Sequence, residues 1–152
     1  MYKPLLPSGI KDIGLGELDS LFLKPFGINP IRKRLLANLR RYLTKLQKIG
    51  IPFEVWIDGS FVTNKPEPND IDLVIGVHKS DIAALLASQL ELLEGLTYKR
   101  KRINLQYGID VYVVNLESEP ERQKWISNFS IGASKEEQKG IFRIKFDANV
   151  EH

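Results

Sequence analysis

The sequence predicts a single α/β (α+β) domain, residues 1–152, in which helices flank a mixed central β-sheet. Segments with apolar residues every three or four positions, typical of helices, alternate along the chain with segments of two-residue period, typical of strands. A length of 152 residues also suits one domain with one core. We divide the domain into an extended N-terminal arm, residues 1–29, and a core, residues 30–146.

The arm is rich in proline and glycine, so we expect only one short helix in it, over residues 17–23. A long helix begins at Asn29-Pro30, because asparagine caps free amides and proline fits the first helical position. Its apolar residues continue at helical spacing to Leu46, and Gly50 ends it. Two further helices are predicted over residues 80–94 and 120–129.

Alternating or continuous apolar patterns predict five strands, over residues 53–58, 70–77, 98–106, 109–114 and 140–146. The strand at 98–106 is basic on one side, whereas the strand at 109–114 is apolar enough to lie inside the sheet. Residues 61–69 contain two prolines and are expected to form a loop, with at most one helical turn after Ser60. A polar loop is expected over residues 130–139.

Composition excludes several classes of function. The chain has no cysteine, which rules out thiolate metal sites, disulfides and cysteine catalysis. It also lacks the roughly 18 consecutive apolar residues of a membrane span, and its first nine residues lack a signal pattern, so we expect a cytoplasmic protein that does not contact a membrane. The net charge of +3 is mild.

The basic residues nevertheless form clusters, at residues 32–34, 40–41 and 99–102. Such clusters can bind phosphates of a nucleotide or a nucleic acid. They are equally typical of solvated helix and strand faces. Both interpretations remain open from the sequence.

Three aspartates are the candidate catalytic and metal-binding residues. Asp70 and Asp72 project from the same face of one strand, because strand side chains alternate. Asp110 interrupts an otherwise apolar later strand. Two carboxylates about 4 Å apart repel by roughly 4 kcal/mol at an effective dielectric near 20, so converging acids require a compensating cation. Mg²⁺ suits oxygen ligands and substrate phosphates, and two such ions are typical of displacement at phosphorus.

Gly59 and Ser60 are the candidate phosphate-binding residues. A glycine at the end of a strand lets a phosphate approach the backbone, and the amides of the following turn point toward the anion. Ser60 adds a hydroxyl, and Lys65 in the next loop is within plausible reach of a phosphate. Each feature alone is weakly specific, but their combination with the aspartates is far more specific.

This combination resembles the signature of the nucleotidyltransferase superfamily. The pattern reads Ile57-Asp58-Gly59-Ser60, nine further residues, Asp70-Ile71-Asp72-Leu73 and later Ile109-Asp110-Val111. Residues 56–66, with Leu6-Pro7-Ser8-Gly9 and Lys139-Gly140-Ile141, are also similar to a small family of bacterial and phage nucleotidyltransferase-like proteins. The resemblance runs over nearly the whole chain and implies a minimal nucleotidyltransferase-like fold.

The resemblance implies transfer of a nucleoside monophosphate from an NTP, with ATP favoured, to a hydroxyl of a protein or RNA. Asp70, Asp72 and Asp110 would hold two Mg²⁺ ions, and Asp110 would also activate the acceptor oxygen. Gly59 and Ser60 would hold the triphosphate, and Lys139 is a weaker candidate for the same role. Small members of the superfamily act in toxin–antitoxin or phage-defence systems, where the acceptor is a cognate toxin or tRNA.

Less specific interpretations stay open for each residue. Asp70 and Asp72 are also compatible with a solvated strand edge, Asp110 with a structural pair to Arg100 or Arg102, and Lys65 with a solvated loop tip. Larger superfamily members add a helical domain that grips the acceptor, for which this chain has little room. The alternative function is therefore a non-catalytic antitoxin or nucleic-acid-binding module, including an oligonucleotide binder that uses residues 99–102.

Overall fold

A computed structural model describes residues 2–129 and 140–147 of the chain, with side chains described only to residue 127 in the first range. Five strands lie within these residues: β1 (Ile10–Asp12), β2 (Phe53–Asp58), β3 (Ile71–Val77), β4 (Ile109–Asn115) and β5 (Ile141–Phe146). Six α-helices accompany them: α1 (Leu18–Phe22), α2 (Pro30–Gln47), α3 (Lys79–Ala83), α4 (Ala87–Thr97), α5 (Arg100–Tyr107) and α6 (Glu119–Phe129). Short 3-10 turns occur at Leu15–Glu17, Lys24–Phe26 and Ser60–Val62.

The strands form one mixed sheet in the order β1-β5-β2-β3-β4. β5 pairs parallel with β1 and antiparallel with β2, β2 pairs antiparallel with β3, and β3 pairs parallel with β4. The predicted α/β class with a mixed sheet flanked by helices is therefore confirmed. Among the described strands β4 lies at the edge of the sheet, so the expectation of an interior position for this strand was wrong.

The two faces of the sheet carry separate apolar clusters. Odd-numbered residues of β2, β3 and β4 pack with α2, whose leucines recur at helical spacing and are buried. Even-numbered residues face the other way, where Trp56 and Val74 pack near Trp125 of α6. Because strand side chains alternate, any charged residue at an even position of these strands must lie on the Trp56 face.

Residues 98–106 are not a strand, which corrects the sequence prediction. The segment forms α5, with Ile103 and Tyr107 buried and the residues between them exposed. Four-residue spacing of its two core residues places both on one helical face. Gly108, with φ of 69°, ends this helix in the left-handed region.

The helix predicted over residues 80–94 is divided into α3 and α4. Gln89 explains the break, because its Oε1 accepts a hydrogen bond from the Leu86 amide at 2.9 Å and caps the start of α4. The same side chain donates from Nε2 to the Ile49 carbonyl at 2.9 Å, which ties α4 to the end of α2. The polar loop expected at 130–139 lies outside the described residues.

The N-terminal arm contains the expected short helix and an unpredicted strand, β1, which joins the sheet edge. Within residues 2–129 and 140–147, no helix combines the length and apolar character needed to cross a bilayer.

Candidate active site at the aspartate row

Three aspartates lie side by side on neighbouring strands. The register pairs Asp58 of β2 with Asp72 of β3, and Asp72 with Asp110 of β4. Paired residues on adjacent strands project from the same face, with strands about 4.8 Å apart. We call these three residues the aspartate row. The predicted convergence of Asp72 and Asp110 is thus present in the backbone register.

Strand directions bring the aspartate row to one end of the sheet. Asp58 is the last residue of β2, whereas Asp72 and Asp110 are each second in a strand that runs the opposite way. Asp58 was not among the predicted site residues, although its alternation with Val55 and Ile57 in the sequence already placed it opposite the core. Asp58 is 2% exposed and is more deeply buried than Asp72 or Asp110.

Gly59 turns the chain beside Asp72. Its φ of 80° lies in the left-handed region, and a Cβ at this position would overlap the Asp72 carboxylate. Ser60 then begins the 3-10 turn, and its carbonyl accepts hydrogen bonds from the Thr63 amide (3.2 Å) and hydroxyl (2.6 Å). Only glycine permits this close approach, so the Gly59-Ser60 corner and Asp72 form one unit, as the sequence predicted.

Asp70 lies directly before β3 and shares a cavity of about 600 Å³ with Asp110. The cavity is also lined by Arg100, Lys101, Asn104 and Leu105 of α5. Burial, and secondarily the charge of Asp110, raises the pKa of Asp70, against the opposing effects of a hydrogen bond with Asn104 and the charge of Lys65. A bound cation would stabilise the ionised form of a carboxyl group whose pKa is raised in this way.

Both oxygens of Asp110 are engaged by neighbouring side chains. Arg100 donates from Nη2 to Oδ1 at 2.7 Å, and the Tyr112 hydroxyl donates to Oδ2 at 2.9 Å. The hydrogen bond from Arg100 to Asp110 raises the pKa of Arg100, whereas burial and the separate hydrogen bond from the Tyr112 hydroxyl to Asp110 raise the pKa of Tyr112. The structural pair of Asp110 with Arg100, which the sequence left open, is therefore present. Arg100 approaches from α5 rather than from a strand.

Lys65 is half-buried in the loop between the corner and β3, so the structure does not place it at a freely solvated loop tip. Its charge acts on Asp70, and its Nζ lies 5.9 Å from the centre of the Tyr2 ring. These observations place Lys65 at the acidic end of the sheet, on the side of Asp70.

Arg32 is a buried clamp on the loop that follows the corner. Its side chain is 0% exposed, so Arg32 is neither solvated nor open to a phosphate, the two interpretations considered for its cluster. Nη1 donates to the carbonyls of Phe22 (3.1 Å) and Phe61 (2.9 Å), and Nη2 to those of Thr63 and Lys65, both at 2.8 Å. Burial lowers the pKa of Arg32 to about 10, so it remains a cation at neutral pH. No signal in the sequence separated Arg32 from its exposed neighbours.

The donor set fits Mg²⁺ in part. Asp70, Asp72 and Asp110 offer the carboxylate oxygens that this ion prefers, and burial together with the charge of Asp110 raises the pKa of Asp70, so a cation would stabilise its ionised form. At Asp110 a cation would compete with Arg100, which already donates to Oδ1, and with Tyr112, which donates to Oδ2. In keeping with this, no group of three acidic or histidine side chains within the described ranges is arranged to hold a metal ion.

Comparisons with known proteins give a family and no activity. No curated protein and no solved structure matches the chain. One family model matches residues 2–145, which include every described residue of the candidate site. The chain therefore belongs to the family of unknown function DUF6932.

Proposed function

We propose that this protein is a Mg²⁺-dependent nucleotidyltransferase that moves a nucleoside monophosphate from an NTP to a hydroxyl group. The single observation that carries the proposal is the aspartate row beside the Gly59-Ser60 corner, with Asp70 and Asp110 lining one cavity. Acids and an anion-binding corner at one end of a sheet suit a cation and a polyphosphate together. The resemblance of residues 57–73 and 109–111 to the superfamily signature supports the same reaction.

Each residue has a role in this reaction. Asp70, Asp72 and Asp110 would hold Mg²⁺, which supplies neutralisation of the triphosphate charge when bound. The Gly59 and Ser60 corner binds phosphate oxygens through backbone amides, and Lys65 adds a positive charge on the Asp70 side. The acceptor oxygen attacks the α-phosphorus, the bond to the bridging oxygen of the β-phosphate breaks, and pyrophosphate leaves. The acceptor proton passes to a carboxylate of the aspartate row.

The proposed substrate is ATP, with a protein or RNA hydroxyl as acceptor. We propose a cytoplasmic role in a toxin–antitoxin or phage-defence system. Such a role suits a minimal domain of 152 residues, because a partner molecule that carries the acceptor hydroxyl would dock on the domain itself. The reactants must still be held in register for useful catalysis.

Thermal unfolding with Mg²⁺ and each of the four NTPs tests the proposal. A ligand at 100 times its dissociation constant stabilises by about 2.7 kcal/mol, which corresponds to a Tm increase of roughly 5–10 °C for a domain of this size. We expect this shift with ATP and Mg²⁺ together and its loss in an Asp70→Ala, Asp72→Ala variant. An Asp81→Ala variant, with its carboxylate on α3 at the other end of β3, is the matched control and should retain the shift.

A non-catalytic binding module on the same fold is the second candidate. The observation that favours it is the capture of both Asp110 oxygens by Arg100 and Tyr112, which leaves the third acid neutralised without a metal. Under this alternative the Asp70→Ala, Asp72→Ala variant would keep full biological activity, and no NTP would raise Tm. Loss of activity in that correctly folded variant would exclude it.

A further inference from the structure

A basic groove lies on the opposite side of α5 from the aspartate cavity. It encloses about 490 Å³ between α2, α4 and α5, and three exposed cations line it: Lys45, Lys99 and Arg102. Glu91 is the one carboxylate among its lining residues, so positive charge prevails. No ion pair involves the three cations among the described residues. The groove therefore carries a net positive charge.

Helix α5 divides its basic residues between the groove and the aspartate cavity. Lys99, Arg102 and Gln106 follow helical spacing and line the groove. Arg100 and Lys101 line the cavity that contains Asp70 and Asp110. Since a helix is about 10 Å across, the two sites are separated by one helix diameter. Cations thus continue around α5 from the groove to the candidate active site.

We propose that the groove binds the phosphate backbone of single-stranded RNA, whose end crosses α5 and presents its hydroxyl to the aspartate row. Repeated cations at helical spacing suit a chain of phosphates. Ser88 and Gln106, also in the lining, offer hydroxyl and amide groups for ribose hydroxyls, the feature that distinguishes RNA from DNA. Leu105, 88% exposed at the edge of the cavity, gives a base an apolar contact. The inference rests on the proposed function for the delivery of the hydroxyl, but not for binding.

Fluorescence anisotropy with a labelled RNA of about ten nucleotides tests the groove. Neutralisation of three phosphates predicts that log affinity falls against log salt with a slope of about −2. A Lys99→Glu, Arg102→Glu variant should bind at least about tenfold more weakly, with a shallower slope. A Lys33→Glu, Arg34→Glu variant carries the same change in charge at the other end of α2 and should bind much more tightly than the groove variant.

Three outcomes would overturn the inference: equal losses in the two variants, salt-independent binding, or equal affinity for an acidic peptide. We expect tighter binding of RNA than of DNA of the same sequence. The reverse order would contradict the proposed contacts with ribose hydroxyls. The Asp70→Ala, Asp72→Ala variant should keep RNA affinity. If it does so while the wild type transfers no nucleotide, the proposed function fails and the RNA groove stands.

Discussion

Replacement of Arg32 by methionine should destabilise the fold through the loop at the active-site corner. Methionine is an unbranched, flexible side chain that can fill the part of the buried space taken by the aliphatic stem of Arg32, but it is shorter and donates no hydrogen bonds. The carbonyls of Phe22 and Phe61 lose buried donors, and those of Thr63 and Lys65 lose partly buried ones. The change therefore removes the hydrogen bonds of the clamp, together with the contacts of its guanidinium with the Phe26 and Phe61 rings.

The expected cost follows from the two fully buried carbonyls. A buried acceptor left without a partner costs about 1–3 kcal/mol, whereas water can replace the donors at the two partly buried ones. We therefore expect a loss of about 2–6 kcal/mol, a large fraction of the 5–15 kcal/mol typical of a domain. Tm should fall by roughly 4–24 °C.

Urea unfolding monitored by tryptophan fluorescence measures this loss, since Trp56 is buried in the core. Arg34→Met, an exposed position two residues along the same helix, is the control and should change stability by less than about 0.5 kcal/mol. Arg32→Lys keeps the charge but cannot reach four carbonyls with one ammonium, so it should also be destabilised. A loss below about 1 kcal/mol for Arg32→Met would refute the reasoning, because the carbonyls would then have found water.

Three further changes probe the acidic end of the sheet. The fold raises the pKa of Asp70 above its ordinary value of 3.8, so ionisation of this carboxyl opposes folding at pH 7. Asp70→Asn should therefore raise Tm at pH 7, and this gain should shrink as the pH falls through the raised pKa and be absent below 3.8. A difference in Tm that stays constant with pH would contradict the assignment. Gly59→Ala should lower the free energy of unfolding, measured by chemical denaturation, by about 1–3 kcal/mol, because its φ is strained for alanine and its Cβ overlaps Asp72. The control, Gly95→Ala at an open helical position, should raise the free energy of unfolding by up to about 1 kcal/mol. Arg100→Gln should enlarge the Tm increase caused by Mg²⁺ and ATP, and a smaller increase would mean that this arginine helps to bind the nucleotide.

Local patterns in the sequence were sufficient to predict most strands and the long helix. Asn29 caps α2 by accepting from the Arg32 amide, and the alternation of residues 53–58 and 71–77 gave both the strands and their buried faces. The residues of the corner and of β3 were identified correctly as neighbours, because a positive φ at Gly59 and side-chain alternation are local properties.

The errors arose where tertiary contacts override local pattern. Residues 98–106 were predicted to form a strand, but Ile103 and Tyr107 require helical spacing to reach the core together. The edge position of β4 depends on strand order, which no local pattern encodes. The role of Arg32 as a clamp could not be predicted from the sequence, because the four carbonyls that accept its hydrogen bonds belong to residues 10 to 33 positions away.

The most direct test of the central claim is transfer of label from ATP radiolabelled at the α-phosphate, with Mg²⁺ and either RNA or partner protein present. The wild type should label an acceptor and release unlabelled pyrophosphate, and Asp72→Asn should abolish the labelling without loss of the folded state. Labelling that persists in Asp72→Asn, or no labelling of any acceptor by a wild type that binds Mg²⁺ and ATP, would contradict catalysis at the aspartate row.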